Sequence, residues 1–324
     1  MGGEGITVVV PTWRRPVGLA RALDGVARQH DPGVPWEVVV VASAADPDAH
    51  RVAASSTVPV PLRVVDEPQP GASAARNRGL TVSRPVVAFL DDDCRPEPTW
   101  LTRITAPVLS GEAEGAGGRV VADPAVPRPR WLGDALLSYL AEYDRGGETV
   151  RLPPGDWVLT ANAAFQAEPV TAIGGLDTVL GPNAGRPMVD DDVDLCRRLA
   201  EAGGRLVYVP DAVVVHDLPV GRLSPRYLLR RLYNQGRSDW LLDRRQLAGA
   251  PAAGLAQAAR QLSQELADIV PQGPWRPAVA LHAAGAVARA AGFFRQGASA
   301  LVARDPGAPG RGGGSAPGGT GTGP

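Results

Sequence analysis

The sequence predicts an α/β fold, with a mostly parallel sheet flanked by helices and a C-terminal helical extension. Short apolar runs alternate with stretches of helical periodicity over roughly the first 220 residues, as in βαβ units. The run Val86–Leu90 is apolar throughout, which indicates a strand buried on both faces. After Pro225 the strand-like runs stop, and long Arg- and Ala-rich helical patterns follow.

The N-terminal half alternates the two kinds of element. Pro11 ends the first strand, and Pro16 suits the first turn of the helix that follows. The predicted strands are Ile6–Val10, Glu37–Val41, Leu62–Val65, Val86–Leu90 and Gly117–Val121, and the predicted helices are Pro16–Gln29, Gly71–Val82 and Trp100–Leu109. A parallel sheet with right-handed crossovers follows from this alternation.

The C-terminal half contains fewer strands. Gly203 and Gly204 stop a helix that begins at Asp191. The predicted strands are Val158–Phe165, Leu206–Val209 and Val213–Val215, and the predicted helices are Leu132–Tyr143, Asp191–Ala202, Arg226–Leu247, Ala252–Ile269 and Pro277–Val302. We therefore divide the chain into an α/β domain (1–222), a helical region (223–304) and a Gly/Pro-rich tail (305–324) that is expected to be disordered.

Composition excludes several classes of function. The chain has 324 residues, is 44% hydrophobic and carries a formal net charge of −1, so no basic excess supports nucleic-acid binding. It contains no lysine, which excludes lysine Schiff bases and a P-loop lysine.

The cysteines and the apolar runs indicate in which cellular compartment the protein is expected. Cys94 and Cys196 are outside any CxxC motif, so we expect neither a disulfide framework nor a zinc site. The sequence enters the first strand almost directly, so we expect no signal peptide, and no uncharged apolar run reaches transmembrane length. The expected location is the cytoplasm, with contact to the inner face of the membrane left open.

Three consecutive carboxylates, Asp91, Asp92 and Asp93, follow the strand Val86–Leu90. Ligands bind at the carboxyl ends of strands in open α/β sheets, and adjacent acids repel one another unless a cation offsets them. If the extended geometry persists, Asp91 and Asp93 point the same way and suit Mg²⁺ or Mn²⁺, whereas Asp92 points away and is expected to be replaceable. A solvated acidic turn is the alternative.

Further motifs surround this triplet in a fixed order. They are Pro11-Thr12-Trp13-Arg14-Arg15, Gly71-Ala72-Ser73-Ala74-Ala75-Arg76-Asn77-Arg78-Gly79-Leu80, Phe89-Leu90-Asp91-Asp92-Asp93, Gly174-Gly175-Leu176-Asp177, Asp191-Asp192-Val193-Asp194-Leu195-Cys196-Arg197-Arg198-Leu199 and Tyr208-Val209-Pro210-Asp211-Ala212-Val213-Val214-Val215-His216. Together they resemble the family 2 glycosyltransferases, over about residues 5–240. The resemblance implies the GT-A fold, which is Rossmann-like, and inverting transfer of a sugar from a nucleotide-diphosphate donor to an acceptor hydroxyl.

The resemblance also implies roles for individual residues. The nucleotide-sugar would contact Pro11, Thr12, Arg14, Ser43, Arg76, Asn77, Asp91 and Asp92. A Mn²⁺ or Mg²⁺ ion would be held by Asp93, Asp91 and His216, with Asp217 orienting the His216 ring. The acidic pair Asp191-Asp192 would supply the general base, with Asp192 the preferred member and Asp191 not excluded.

Each role has a plainer alternative. Asp190 to Asp192 also suit a helix N-cap, and His216 also suits the end of a strand. Relatives commonly carry an acidic turn after the second strand that reads the nucleotide base. Here that turn is Ala42–Ala45, so Ser43 or Asp46 is expected to replace it.

Two other classes of protein stay open. A metal-dependent nucleotidyltransferase also combines an α/β sheet with acidic ligands, and a non-catalytic relative would keep the fold as a nucleotide-sugar-binding scaffold. The expected partners are the donor and an acceptor with a free hydroxyl: a small molecule, a glycan or a lipid-linked molecule. The helices after Arg226 would cover the acceptor site, form a homodimer or lie on a membrane surface.

Overall fold

The computed structural model describes residues 5–44, 46–140, 142–183, 186–246 and 277–302. The predicted helix Ala252–Ile269 and the predicted disordered tail 305–324 lie outside these residues. Within the described ranges, no helix is both long enough and apolar enough to cross a membrane.

The N-terminal half alternates strands and helices as predicted. Its elements are β1 (Ile6–Thr12), α1 (Pro16–Ala27), β2 (Trp36–Ser43), α2 (Pro47–Ala54), β3 (Leu62–Glu67), α3 (Ala72–Leu80), β4 (Val86–Leu90), β5 (Cys94–Pro96), α4 (Trp100–Leu109) and β6 (Gly115–Pro124). Helix α2 was not predicted, and the side chain of Asp46 caps its first turn through the backbone N–H of Asp48.

The C-terminal half carries the remaining elements. They are β7 (Val150–Arg151), β8 (Asn162–Gln166), α5 (Ala167–Ala172), β9 (Pro182–Asn183), β10 (Arg186–Pro187), α6 (Asp191–Glu201), β11 (Leu206–Leu218), α7 (Pro225–Gln246) and α8 (Pro277–Val302). The predicted helix Leu132–Tyr143 is instead two short 3-10 turns, Asp134–Leu136 and Ser138–Leu140. The two predicted strands Leu206–Val209 and Val213–Val215 form the single strand β11, with a register shift between Val209 and Val213.

The described residues form one large sheet of nine strands and a separate two-stranded sheet, β9–β10. The large sheet runs in the order β3-β2-β1-β4-β8-β6-β11-β5, with β7 paired to β11. Pairing is parallel from β3 to β4 and between β6 and β11, whereas β8 inserts antiparallel between β4 and β6. The predicted α/β class with a C-terminal helix is confirmed, and the sheet is mixed because of β8, β5 and β7.

The core positions the polar residues at one edge of the sheet. Strands β1, β2 and β4 are buried along nearly their whole length. Because these strands are parallel neighbours, their carboxyl ends at Thr12, Ser43 and Leu90 lie at the same edge. The residues that follow them therefore converge.

The C-terminal helices pack onto this domain. Leu228 and Leu232 of α7 join an apolar cluster with Leu136 and Leu140 of the 3-10 turns and Leu218 of β11. Helices α7 and α8 approach closely at Gly236, where an added Cβ would lie 1.7 Å from the carbonyl oxygen of Arg289.

Candidate active site

The acidic triplet forms a turn rather than an extended strand end. Strand β4 ends at Leu90, and residues 91–93 turn the chain into β5. Asp91 accepts a 2.5 Å hydrogen bond from Arg76, whereas Asp93 lies among Arg15, His216 and Arg222. The expected same-face pair of Asp91 and Asp93 is therefore split between two sets of partners.

Asp92 is the most buried member of the triplet. It is 6% exposed, accepts a 2.8 Å hydrogen bond from Thr12 Oγ1 and lies 3.1 Å from Arg15 Nη1. Burial raises the pKa of Asp92 to about 6, against the lowering effects of Arg15 and Thr12. The Asp92 side chain ties the end of β1 to the acidic turn, which argues against the expectation that Asp92 is replaceable.

Asp93 and His216 form the second group. Asp93 Oδ1 lies 3.5 Å from His216 Nε2, and its Oδ2 lies 2.5 Å from Arg15 Nη1 and 3.4 Å from Arg222 Nη2. Burial alone would raise the pKa of Asp93, but the contacts with His216, Arg15 and Arg222 overcome it and lower the pKa below its usual range. Asp93 is thus a carboxylate in a cationic environment.

His216 itself is buried on β11 with an incomplete set of hydrogen bonds. Its Nε2 lies 3.2 Å from Arg222 Nη1, and its Nδ1 has no hydrogen-bond partner. The predicted contact between Asp217 and the His216 ring is not formed. The Asp217 carboxylate instead pairs with Arg21 and Arg95, at 3.1 and 3.0 Å.

Two of the three predicted metal ligands fit a divalent cation. The anionic Asp93 and the incompletely bonded His216 are an oxygen and a nitrogen donor side by side, and Mg²⁺-type ions commonly take one or two protein ligands plus substrate phosphates. In the third predicted ligand, Asp91, one carboxylate oxygen is 2.5 Å from Arg76 Nη2. Among the described residues no group of three or more His, Cys, Asp or Glu side chains is arranged to hold a metal. The predicted set of Asp93, Asp91 and His216 stays a prediction.

Arg76 is a buried bridge between two acidic segments. Its guanidinium is 4% exposed, and it pairs with Asp91 through Nη2 and with Asp191 through Nη1, at 2.5 and 3.4 Å. Burial alone would lower the pKa of Arg76, but the charges of Asp91 and Asp191 raise it. Arg76 therefore joins the two acidic segments inside the protein, and its predicted contact with the nucleotide-sugar stays a prediction.

Asp191 is held on both sides. Its Oδ2 accepts a 2.7 Å hydrogen bond from Ser73 Oγ and lies 3.4 Å from Arg76. Gly181 packs against both Ser73 and Asp191. A Cβ added at Gly181 would lie 1.6 Å from Ser73 Oγ and 3.1 Å from Asp191 Oδ2. Burial raises the pKa of Asp191, with Arg76 and Ser73 opposing the rise.

Asp192 differs from its neighbour Asp191 in exposure and in hydrogen-bond partners. It is partly exposed, and its Oδ1 accepts a 2.9 Å hydrogen bond from the backbone N–H of Val193. No ion pair to Asp192 is formed within the part of the chain that the structure describes. Burial, followed by the charge of Asp191, raises the pKa of Asp192 to about 7, so it can accept a proton near neutral pH.

The predicted nucleotide contacts at the ends of β1 and β2 are close in space. Arg14 has a left-handed backbone (φ 53°), and its N–H donates to the carboxylate of Asp46. Ser43 accepts a hydrogen bond from the N–H of Gly71 at 3.2 Å. Both Asp46 oxygens are occupied by backbone N–H groups, so Asp46 shapes this edge rather than presenting a free acid.

The chain is similar in sequence to a known protein family. A family model described as "Glycosyltransferase like family 2" matches residues 4–237, well over half of the chain. The chain belongs to glycosyltransferase family 2. The predicted family is thereby confirmed.

Several curated relatives are similar to this glycosyltransferase-family chain. It is 32% identical over 148 residues to the pre-mycofactocin glycosyltransferase of Mycobacterium tuberculosis, which covers 45% of the chain and 30% of that relative. It is 29% identical over 260 residues to the succinoglycan biosynthesis protein ExoM of Rhizobium meliloti, covering 78% of each. The chain thus spans less than a third of the mycobacterial relative.

Solved structures share the fold. GalNAc-T7, with UDP, GalNAc and Mn²⁺, superposes with a TM-score of 0.50 at 14% identity, covering 72% of this chain and 50% of that one. Staphylococcus aureus TarS gives a TM-score of 0.50 at 14% identity, covering 74% and 42%. These similarities support the GT-A fold of the sheet and its flanking helices.

Asn77 of the family motif contacts the backbone of Leu176. The Asn77 side chain donates to the carbonyl of Leu176 and accepts from its N–H, both at 2.8 Å. Its amide therefore fastens the Gly174-Gly175-Leu176 turn. Both polar atoms of the Asn77 amide have backbone partners, and the predicted contact of Asn77 with the nucleotide-sugar stays a prediction.

Sequence reasoning missed several residues of the site. Arg15 and Ser73 lie inside motifs that were recognised, but their neighbours were chosen as functional residues. Arg222 and Gln235 carry no local signal, since they reach the site only after β11 and α7 have folded back over it.

Proposed function

We propose that the chain is an inverting glycosyltransferase that moves a sugar from a nucleotide-diphosphate donor to an acceptor hydroxyl. Asp192 is the general base, and a Mn²⁺ or Mg²⁺ ion lies on the donor diphosphate. The observation that carries the proposal is the contrast between Asp191, which Arg76 and Ser73 occupy, and Asp192, which is partly exposed with a pKa of about 7. Membership of family 2 supports the reaction class.

The reaction is a single displacement. The acceptor O–H gives its proton to the Asp192 carboxylate while the acceptor oxygen attacks the anomeric carbon. The bond from that carbon to the diphosphate oxygen breaks, and its electron pair leaves with the nucleoside diphosphate. One displacement inverts the anomeric centre, and a base with a pKa near 7 contributes about 10²–10⁴-fold to such a step.

Asp93 and His216 are the residues that would hold the metal ion. When bound, the ion neutralises charge on the departing diphosphate. Arg15 and Arg222 both pair with Asp93, so they add positive charge at the same place. The donor diphosphate is therefore expected to lie over Asp93, whereas Arg76 holds the acidic segments together from inside.

The acceptor is proposed as a molecule with a free hydroxyl: a small molecule, a glycan or a lipid-linked sugar. A glucosyl-dolichyl phosphate glucuronosyltransferase of Haloferax volcanii, 29% identical over 182 residues, motivates the lipid-linked class. Family membership favours sugar transfer over nucleotidyl transfer. A non-catalytic scaffold that only binds the donor is the remaining alternative.

A donor screen tests the proposal. UDP-, GDP- and dTDP-sugars are added with Mn²⁺, and the unfolding temperature is followed, because ligand at ~100 times its dissociation constant adds ~2.7 kcal/mol. We expect one nucleotide series to stabilise the wild type only with Mn²⁺, and Asp93→Asn to lose that metal dependence. The matched control is Asp211→Asn, which changes an exposed acid.

Turnover of the selected donor then separates the alternatives. Release of the nucleoside diphosphate, with inversion at the anomeric carbon seen by NMR, is the expected result. Metal-dependent binding without transfer or hydrolysis would point to a scaffold. Absence of any metal-dependent affinity for a nucleoside diphosphate would overturn the donor site.

A further inference from the structure

The segment that leads into α6 is fastened to α7. The Gln235 side-chain Nε2 lies 2.7 Å from both carboxylate oxygens of Asp190. The backbone N–H of Val189 donates to Ser238 Oγ at 3.0 Å. The two residues before α6 are therefore both anchored by one face of a helix in the C-terminal region.

Gln235 is itself held in one orientation. Arg231 Nη1 donates to its Oε1 at 2.7 Å, and its Nε2 also lies 3.1 Å from Asp239 Oδ1. Asp239 in turn accepts from Arg289 of α8 at 2.6 Å. An amide suits this position because its oxygen faces an arginine while its NH₂ group faces two carboxylates.

Asp190 needs such an anchor because its backbone is strained. It adopts a left-handed conformation (φ 88°) although it is not a glycine, and such a conformation persists only where the surrounding structure fixes it. The carbonyl of Asp190 accepts from the N–H of Asp194 at 2.9 Å in the first turn of α6. The conformation of Asp190 thus sets the start of α6, which begins at the next residue, Asp191. Asp192 follows directly in the first turn of this helix.

We infer that Gln235 is a positioning residue for the Asp192 base, acting through Asp190. By holding Asp190 in its left-handed conformation, Gln235 fixes the start of α6 and the direction in which Asp192 points. The inference rests on the proposed function. It makes α7, supported by α8, part of the catalytic unit rather than an appendage to the α/β domain.

The test is a double-mutant cycle in the full chain with the donor identified by the screen. Loss of the hydrogen bond to Asp190 predicts that Gln235→Met lowers kcat about 10-fold and leaves the donor KM within about twofold. Gln296→Met is the matched control, because Gln296 accepts from Arg237 between α7 and α8 and does not contact the segment before α6 within the described residues. Asp190→Gly accepts the left-handed backbone without strain, so in that background Gln235→Met should change kcat by less than about twofold.

Hydrogen exchange of residues 188–194 gives a readout that does not depend on activity. We expect faster exchange there in Gln235→Met and unchanged exchange in Gln296→Met. If the kcat effects of Gln235→Met and Asp190→Gly multiply in the double variant, the inference is overturned. It is also overturned if Gln235→Met shows both the wild-type kcat and the wild-type hydrogen exchange. If exchange responds but the wild type transfers no sugar, the contact is upheld and the proposed function fails.

Discussion

Arg76 lies 3.4 Å from the carboxylate of Asp191, deep in the protein, and this contact separates the roles of the two adjacent acids. Arg76 and Ser73 occupy Asp191, which leaves Asp192 as the carboxylate free to accept a proton. The buried guanidinium thereby links the turn after β4 to the start of α6, since its second contact is Asp91.

Asp192→Asn is expected to lower the rate of sugar transfer by about 10²–10⁴-fold, because the base is removed. Donor affinity and unfolding temperature should stay near the wild-type values. Steady-state kinetics with a donor titration measure the transfer rate and the donor KM, and a thermal melt measures the unfolding temperature. Transfer at the wild-type rate would show that Asp192 is not the base.

Asp191→Asn is expected to act on stability first. It weakens the pairing of a buried arginine, and breaking a buried ion pair costs about 3–5 kcal/mol when one charge is removed. Retention of Asp91 keeps Arg76 partly paired, so we expect the lower end of that range. Urea unfolding measures it, with exposed Asp211→Asn as the control; equal stability of the two variants would refute the bridging role.

The pH dependence of kcat follows from the pKa of Asp192, about 7. Because the base acts in its deprotonated form, kcat should rise about tenfold per pH unit below pH 7 and level off above it. The groups that interact with Asp192 are Asp191, Arg76, Arg231, the N–H of Val193, Asp190 and Cys196, and the charge of Arg231 lowers the pKa of Asp192. Arg231→Met should therefore move the rise to higher pH, whereas Arg230→Met, on the exposed face of α7, should not.

The stability of the folded chain should also depend on pH. Burial and the charge of Asp239 raise the pKa of Asp190 from its usual 3.8 to about 8. The folded state therefore binds more protons than the unfolded state between about pH 4 and 8, and stability should fall as pH rises through that window. Asp190→Asn should flatten the decline, which urea unfolding at several pH values measures; an unchanged slope would contradict the shift.

Asp92→Ala is expected to destabilise the fold by about 1–3 kcal/mol, since Thr12 and Arg15 would lose a buried acceptor. Asp66→Ala, at an acid whose side chain is 56% exposed, should cost less than about 0.5 kcal/mol. Chemical denaturation distinguishes the two. Similar stabilities would restore the original expectation that Asp92 is replaceable.

Gly181→Ala should disturb the acidic pair from the side of Ser73. The added methyl group would lie 1.6 Å from Ser73 Oγ, so either the loop or the serine must move. We expect a lower unfolding temperature and a lower transfer rate, with partial recovery when Ser73→Gly is combined with it. Gly133→Ala is the control because no atom lies within 4 Å of its added Cβ, and it should behave like the wild type.

Local patterns in the sequence predicted much of the fold. Apolar runs such as Val86–Leu90 match their strands, because a strand buried on both faces needs apolar residues at consecutive positions. The prediction of a helix at Leu132–Tyr143 was wrong. The leucines of this segment pack against Leu228 and Leu232 of α7 from two short 3-10 turns. Its apolar spacing alone did not distinguish these turns from a continuous helix.

The sequence by itself determined the family, the α/β class and the acidic and histidine residues at the sheet edge, because these are carried by short motifs and by periodicity. Only the tertiary structure decided their partners. It separated Asp91 from Asp93, buried Asp92, turned Asn77 toward Leu176 and brought Arg222 and Gln235 into the site. The reason is physical: hydrogen bonds and ion pairs join residues far apart in the chain, and the direction of a side chain at a turn depends on backbone angles set by those distant contacts.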